Sequence, residues 1–152
     1  NMITKKWGTP IWIFFHSLAN DINDNQFKVY KNQIIELFLS VCNLLPCKVC
    51  RNHAQQAMNK AYTKYINSKN DFKIFLIQFH NLVNIRRKVT PLTEIEVDNI
   101  YKNISFQNSV KNFIDVFNSN YYSRDLSYDL KKQNFLKSNH NFIMELKSNI
   151  IH

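Results

Sequence analysis

The chain of 152 residues has few of the residues that break helices or staple small folds: one glycine, three prolines and three cysteines. With so little glycine and proline there are few places for tight hairpins, which favours helices. An odd number of cysteines in a chain long enough to bury its own core argues against a disulfide scaffold. The sequence also lacks a charged-then-apolar leader and an apolar run of membrane length. We therefore expect an intracellular protein with no signal peptide and no membrane segment.

Acidic residues are also scarce, with 11 Asp and Glu against 20 Lys and Arg, which gives a formal net charge of +9. A basic surface attracts nucleic acid, anionic membranes or a phosphate-bearing cofactor, and it also aids solubility. Charge alone does not choose among these partners. A basic nucleic-acid-binding helical domain therefore stays open as an alternative.

Apolar residues recur at helical spacing along most of the chain. Thr9, Asp71 and Thr93 are predicted N-caps, and Pro46 is predicted to break the chain between two helices. The predicted helices cover about residues 10–20, 26–42, 47–66, 71–88 and 93–104, with two weaker helical patterns in residues 106–152. The sequence therefore predicts an all-α bundle of about 105 residues and a helical extension that packs on the bundle or on a partner.

The segment around Pro46 carries two cysteines whose spacing suits exchange chemistry. A helix that begins at Pro46 places Cys47 and Cys50 in its first turn on one face, close enough for a disulfide. The helix N-terminus and the neighbouring Lys48 and Arg51 favour thiolate over thiol. A redox pair is therefore the first interpretation of this segment.

Two other interpretations of the same segment stay open. Four potential tetrahedral zinc ligands lie close together in sequence: Cys42, Cys47, Cys50 and His53. The thiols would otherwise be ordinary buried residues, and an inert packed thiol is the favoured interpretation for Cys42. The segment alone does not decide between a redox pair, a zinc-binding interaction module and packed thiols.

Two pairs of polar and aromatic residues recur at four-residue spacing on separate predicted helices. Trp12 and His16 form one pair, and His80 and Asn84 form the other. Either pair alone is typical of a polar contact beside a core. Together they suggest a pocket of flat rings and hydrogen-bond donors, with cations at residues 87–88 for a pyrophosphate.

Three segments in order, WGTPIWIFFHSLA, LPCKVCRNH and FHNLVN, resemble the Erv/ALR family of FAD-linked sulfhydryl oxidases over about residues 5–105. The resemblance implies a four-helix bundle with a short fifth helix, FAD in the mouth of the bundle and a homodimer. Residues 1–105 would be the FAD-binding oxidase domain and residues 106–152 a helical C-terminal extension.

The resemblance also implies a role for each matching residue. Cys47 and Cys50 would be catalytic, with Cys50 nearest the flavin ring and Cys47 facing incoming thiols. The cofactor-binding residues would be Gly8, Trp12, His16, Cys50, His53, His80, Asn81, Val83, Asn84 and Lys88. No metal is expected. Thiols of a protein substrate or a thioredoxin-like carrier would be oxidised, and electrons would pass through FAD to oxygen to give hydrogen peroxide.

Two departures from the family pattern bear on the substrate and the source. Leu45 stands where family members often have an aromatic residue, and the chain has no second shuttle pair of cysteines. Substrates would therefore reach Cys47 directly or through a separate carrier. Small viral members of the family share this layout, and the richness in Asn, Ile, Lys and Tyr suits the AT-rich genome of a large DNA virus, although a cellular parasite would look similar. The expected location is then the host cytoplasm or the virion.

Overall fold

The structure, a computed structural model, describes residues 2–45, 48, 51–52, 55–56, 62–118 and 126–151. Its helices are α1 (Met2–Asp21), α2 (Asp24–Cys42), α3 (Lys69–Arg86), α4 (Glu94–Tyr101), α5 (Phe106–Asn118) and α6 (Leu126–Asn149), with a 3-10 helix at Tyr62–Tyr65. Residues 48, 51–52 and 55–56 are also helical, and the described part of the chain contains no strand. The all-α prediction is confirmed.

Three helices begin with a capping box, in which the N-cap side chain and the N3 side chain satisfy each other's backbone N–H groups. The three pairs are Asn23 with Gln26 for α2, Ser68 with Asp71 for α3, and Thr93 with Glu96 for α4. The predicted cap at Thr93 is confirmed. The predicted cap at Asp71 is wrong, because Asp71 is the N3 partner and the helix begins three residues earlier, after Ser68.

The predicted start of the first helix at Pro10 is also wrong. Helix α1 begins at Met2 and contains Pro10 in its interior. Proline is favoured at the first helical position, whereas inside a helix it loses the hydrogen bond to the carbonyl four residues back, here that of Lys6, and its ring crowds that carbonyl, but neither effect ends α1. The helix therefore continues on both sides of one missing bond.

The predicted apolar stripes of the described helices point into one main core. Phe14, Phe15 and Leu18 of α1 are fully buried at its centre. Helix α5 packs on these side chains, with the Phe14 and Phe113 rings stacked at 3.8 Å between centroids, and α6 packs on α5, with the Phe117 and Phe135 rings 4.6 Å apart. The extension is thus helical and docked on the bundle, and the core continues across residue 105.

Helix α4 closes a second, smaller cluster beside the main core. Ile77 of α3 packs there with Val97 and Tyr101 of α4, and Ile13 of α1 lies against them. This cluster holds α1, α3 and α4 together at the end where the predicted cofactor residues lie. None of the described helices is both long enough and apolar enough to cross a membrane.

Candidate cofactor site and redox segment

Helices α1, α3 and α4 bring the predicted aromatic and histidine residues into one cluster. The Trp12 ring stacks on the His80 ring with centroids 3.9 Å apart and planes 5° apart. His16 Nε2 lies 3.1 Å from His80 Nδ1, and the His16 ring stacks on Tyr101 at 4.6 Å. The two helical pairs are therefore adjacent in space. Tyr101 was not predicted as part of this group, and its only signal in the sequence was an apolar position on an amphipathic helix.

Burial keeps both imidazoles of the cluster neutral. His16 is 2% exposed. Its burial, with His80 and Lys73 nearby, lowers its pKa to about 3, and burial lowers the pKa of His80 to about 4. Lys73 forms an ion pair with Asp98 of α4. At neutral pH the two rings therefore offer one donor and one acceptor nitrogen each and carry no charge.

Asn84 lies one turn beyond His80 on α3 and is 8% exposed. Its side-chain amide makes no hydrogen bond to any residue in the described ranges, although its main-chain oxygen accepts from the Val89 N–H at 2.8 Å. The amide is therefore free to donate and accept hydrogen bonds with a ligand.

The donor set of this cluster fits FAD. Flat rings and neutral imidazoles suit the faces and edges of an adenine, and the Asn84 amide both donates and accepts hydrogen bonds. Three consecutive cations at residues 86–88 follow directly at the end of α3 and are exposed. Cations suit the phosphates of a dinucleotide, so the residues present match both halves of the cofactor's adenosine diphosphate.

Asn81 holds the loop that follows α3. Its Nδ2 donates to the Leu92 carbonyl at 2.7 Å, and its Oδ1 accepts from the Leu92 N–H at 2.7 Å. Both ends of the amide are therefore engaged with one backbone residue just before α4. The described role of Asn81 is to fix α4 against α3, and its predicted place beside the cofactor stays a prediction.

The other predicted cofactor residues are spread along α1 and α3. Gly8 lies in the helical backbone of α1. Val83 packs against the main core. Lys88 is exposed and has a φ of 59°. His53 and the catalytic candidates Cys47 and Cys50 lie outside the described residues, so their roles stay predictions.

The chain that leads into the redox segment is anchored by α6. Tyr128 Oη of α6 donates to the Leu44 carbonyl at 2.7 Å, and Arg51 Nη1 donates to the Leu45 carbonyl at 2.6 Å. The Arg51 guanidinium also lies 5.9 Å from the centre of the Tyr128 ring. Leu44 is thus held by a helix of the C-terminal extension, and Leu45 by Arg51, whose guanidinium lies against that helix.

Cys42 is a packed core thiol. It is 4% exposed at the end of α2, and burial raises its pKa far above that of a free thiol. A zinc ligand must be a thiolate, which this environment disfavours. Among the residues that the structure describes, no group of three or more His, Cys, Asp or Glu side chains is placed to hold a metal. Nothing in the described structure therefore favours the zinc alternative.

Comparison with known proteins agrees with the resemblance. The model of the Erv1 / Alr family matches residues 9–102, which is more than half of the chain. FAD-linked sulfhydryl oxidases of two African swine fever virus isolates, from Malawi and Kenya, are each 31% identical over 96 residues, which is 63% of this chain and 80% of the relative. A protein of Invertebrate iridescent virus 3 is 30% identical over 83 residues, 54% of this chain and 56% of that protein. No solved structure matches the chain significantly. The family prediction is confirmed, and the chain belongs to the Erv1/Alr family.

Proposed function

We propose that this chain is a FAD-dependent thiol oxidase that forms disulfides in protein substrates through Cys47 and Cys50. The observation that carries the proposal is the cluster of Trp12, His16 and His80, which α1 and α3 build from the two segments that resemble the family. The viral relatives are named FAD-linked sulfhydryl oxidases, and they support the same activity.

The first half of the reaction needs only the two cysteines. A substrate thiolate attacks Cys47, the Cys47–Cys50 bond breaks, and a mixed disulfide forms. The second substrate thiol displaces Cys47, so the substrate leaves as a disulfide and the enzyme keeps a dithiol. The substrate has lost two electrons and two protons, and the cysteine pair has gained them.

When bound, FAD supplies the two-electron acceptor that returns the pair to a disulfide and delivers the electrons to oxygen as hydrogen peroxide. The chain's own residues hold and orient that group. Trp12, His16, His80 and Asn84 would hold its adenosine portion, because they supply flat rings and uncharged donors in one cluster. Lys88 would neutralise its phosphates.

The remaining predicted cofactor residues are also assigned to either the adenosine end or the flavin end of FAD. Asn81, Val83 and Gly8 would lie around the adenosine, and His53 and Cys50 near the flavin end. All proposed catalytic and cofactor residues fall within residues 1–105, which we propose as the oxidase domain, while residues 106–152 complete its core.

The proposed partners are a thiol-containing protein or a thioredoxin-like carrier, oxygen, and a second copy of the chain as a homodimer. The three cysteines leave no second pair to relay electrons within the chain. A substrate or carrier must therefore exchange with Cys47 itself. For a viral protein the proposed location is the host cytoplasm or the virion, and the activity requires no nucleic acid.

The absorption spectrum and oxygen consumption of the purified full chain test this proposal. We expect a yellow protein that releases FAD on denaturation and consumes oxygen with dithiothreitol. Cys47→Ser and Cys50→Ser should each abolish turnover and keep the flavin, while Cys42→Ser should keep both. A colourless protein with about one equivalent of zinc, unfolded by chelators, would instead support the zinc-binding module. A colourless protein with steeply salt-dependent nucleic-acid affinity would support the other alternative.

A further inference from the structure

A cleft of about 630 Å³ lies where the end of α2, the residues around the redox segment and α6 meet. Its volume falls within the range of about 300–1,000 Å³ that ligand clefts have. The cleft is separate from the cluster of Trp12, His16 and His80, and none of those three residues lines it. The proposed cofactor site therefore does not account for it.

The charge of the cleft has one sign. Lys48, Arg51 and Lys131 line it, and no acidic residue is among its described lining residues. Lys48 and Lys131 are exposed, so both ammonium groups are available to a ligand. Arg51 is held in place by its bond to the Leu45 carbonyl and by the Tyr128 ring beneath it. The cleft thus presents three cations, one of them rigidly positioned.

Most of the remaining lining is made of side-chain amides and hydroxyls. Asn43, Asn52, Asn134 and Asn139 are among them, and Gln55 Nε2 donates to Asn43 Oδ1 at 3.0 Å. Amides both donate and accept, so they can bond to the N–H and C=O groups of an extended main chain without regard to its sequence. Such a lining suits an extended peptide, and the cations favour a peptide with acidic side chains.

The cleft also lies next to the redox pair along the chain. Lys48 directly follows Cys47, and Arg51 directly follows Cys50. Each of these cations is thus carried by a residue that is bonded directly to one of the two cysteines in the chain. A segment bound to both cations contacts the immediate chain neighbours of the pair.

We propose that this cleft docks the substrate protein, and that its occupant is an extended segment with Asp or Glu beside the cysteine that is oxidised. The inference rests on the proposed oxidase function and names its substrate class. A nucleic acid would need exposed aromatic faces or a longer track of cations. Phe135, the one aromatic side chain among the described lining residues, is only 6% exposed, which favours a peptide.

The test compares two peptides that carry the same pair of cysteines, flanked by Glu in one and by Lys in the other. The ratio of their kcat/KM values on one enzyme cancels any difference in the rate of flavin turnover. We expect the full chain to prefer the acidic peptide by about tenfold or more, and the preference to shrink as salt is added. Lys131→Glu should lower the ratio by about tenfold.

Lys137→Glu is the matched control, because Lys137 is an exposed lysine of the same helix that does not line the cleft. It makes the same charge change and should leave the ratio unaltered. Equal ratios for the wild type and both variants would overturn the proposal. A drop of equal size in both variants would also overturn it, since the effect would then come from net charge and not from the cleft.

A binding measurement separates peptide from nucleic acid. Fluorescence anisotropy of the acidic peptide with serine in place of cysteine should show binding that Lys131→Glu weakens and Lys137→Glu does not. Tighter binding of a single-stranded oligonucleotide, lost in Lys131→Glu, would overturn the peptide as the occupant. A yellow protein that oxidises dithiothreitol but shows no preference between the peptides would overturn only the docking site. A protein that binds no flavin and does not oxidise dithiothreitol would overturn the oxidase function itself.

Discussion

At the scale of single residues, burial decides the protonation of the groups at the candidate cofactor site. His16 and His80 share one hydrogen bond, and each lies against an aromatic ring. A proton added to either ring would place a charge inside a buried cluster that also faces Lys73, and on the accepting nitrogen it would break the shared hydrogen bond. The cluster therefore requires neutral imidazoles, and its contribution to the stability of the fold should decrease in acid.

Stability should fall below about pH 6.5 because of this pair. The folded pKa of His16 is about 3, so between pH 6.5 and that value the unfolded chain binds a proton that the folded chain does not. The free energy of unfolding should then fall by about 1.4 kcal/mol per pH unit near pH 5 from His16 alone. Urea unfolding at pH 7.5, 6 and 5 measures it.

His16→Gln is the variant that tests the origin of this pH dependence. It should lower stability at pH 7.5 and flatten the slope between pH 6 and 5, because glutamine does not titrate. His140 is exposed and remote from the cluster in sequence, so His140→Gln is the control and should keep the slope. His80, whose pKa is also lowered, should keep part of the slope, and an unchanged slope in His16→Gln would assign the acid sensitivity to His80 and the carboxylates.

Cys42 should be inert as a thiol, because it is buried and its pKa is raised. In the native chain iodoacetamide should not label it at pH 8, and unfolding should make it reactive. Cys42→Ser should reduce stability by about 1–3 kcal/mol by burying a hydroxyl, and it should keep dithiol oxidation. Activity as low as that of Cys47→Ser would place Cys42 in the exchange relay.

At the scale of elements, α3 ends in a left-handed residue that is not glycine. The Val89 N–H bonds to the Asn84 carbonyl at 2.8 Å and the Lys88 N–H to the Ile85 carbonyl at 3.0 Å, which is the hydrogen-bond pattern of a Schellman motif. Lys88, with φ 59°, occupies the position that favours glycine. The end of α3 therefore carries a local conformational cost beside the candidate cofactor site.

Lys88→Gly should relieve that cost and stabilise the chain by about 1 kcal/mol, measured by urea unfolding without added cofactor. Lys88→Asn keeps a residue that tolerates the left-handed region and removes the same charge. If Lys88 contacts the phosphates, both variants should bind FAD more weakly, although only Lys88→Gly is clearly more stable than the wild type. Unchanged FAD affinity in both variants would show that Lys88 does not contact the cofactor.

Sequence patterns within a few residues predicted most of the helices but few of the contacts between helices. The cap at Thr93 and the apolar stripes of α1, α2 and α3 follow from neighbours within a few residues, and the structure has them. The bonds of Asn81 to Leu92 and of Tyr128 to Leu44 join residues 11 and 84 positions apart. The spacing of apolar residues does not predict such hydrogen bonds, because they depend on how the helices pack. The preference of proline for a helix start is a local rule that α1 does not follow, because its helical backbone runs from Met2 through Pro10.

At the scale of the whole molecule, the C-terminal helices share the core of the bundle. The Phe106 N–H at the start of α5 donates to Asp21 Oδ2 at the end of α1 at 2.8 Å. Gln26 at the start of α2 donates to the Asn149 carbonyl at the end of α6 at 2.7 Å. The extension is therefore joined to the bundle at both its ends as well as through its buried phenylalanines. Residues 1–105 hold the proposed chemistry, but their core is completed by residues 106–152.

This shared core predicts that the C-terminal helices are needed for folding. Phe113 is fully buried and stacks on Phe14, so Phe113→Ala should cost about 3–5 kcal/mol of unfolding free energy. Leu130→Ala on α6 is the control, since that side chain is 59% exposed and its loss should change stability by less than about 0.5 kcal/mol. A chain ended at Ser105 should expose Phe14 and lose cooperative unfolding in urea. The opposite result would be a folded, flavin-bound chain of residues 1–105 with full stability, together with a small loss of unfolding free energy in Phe113→Ala. It would show that the oxidase domain folds alone and that the extension serves only the cleft beside the redox pair.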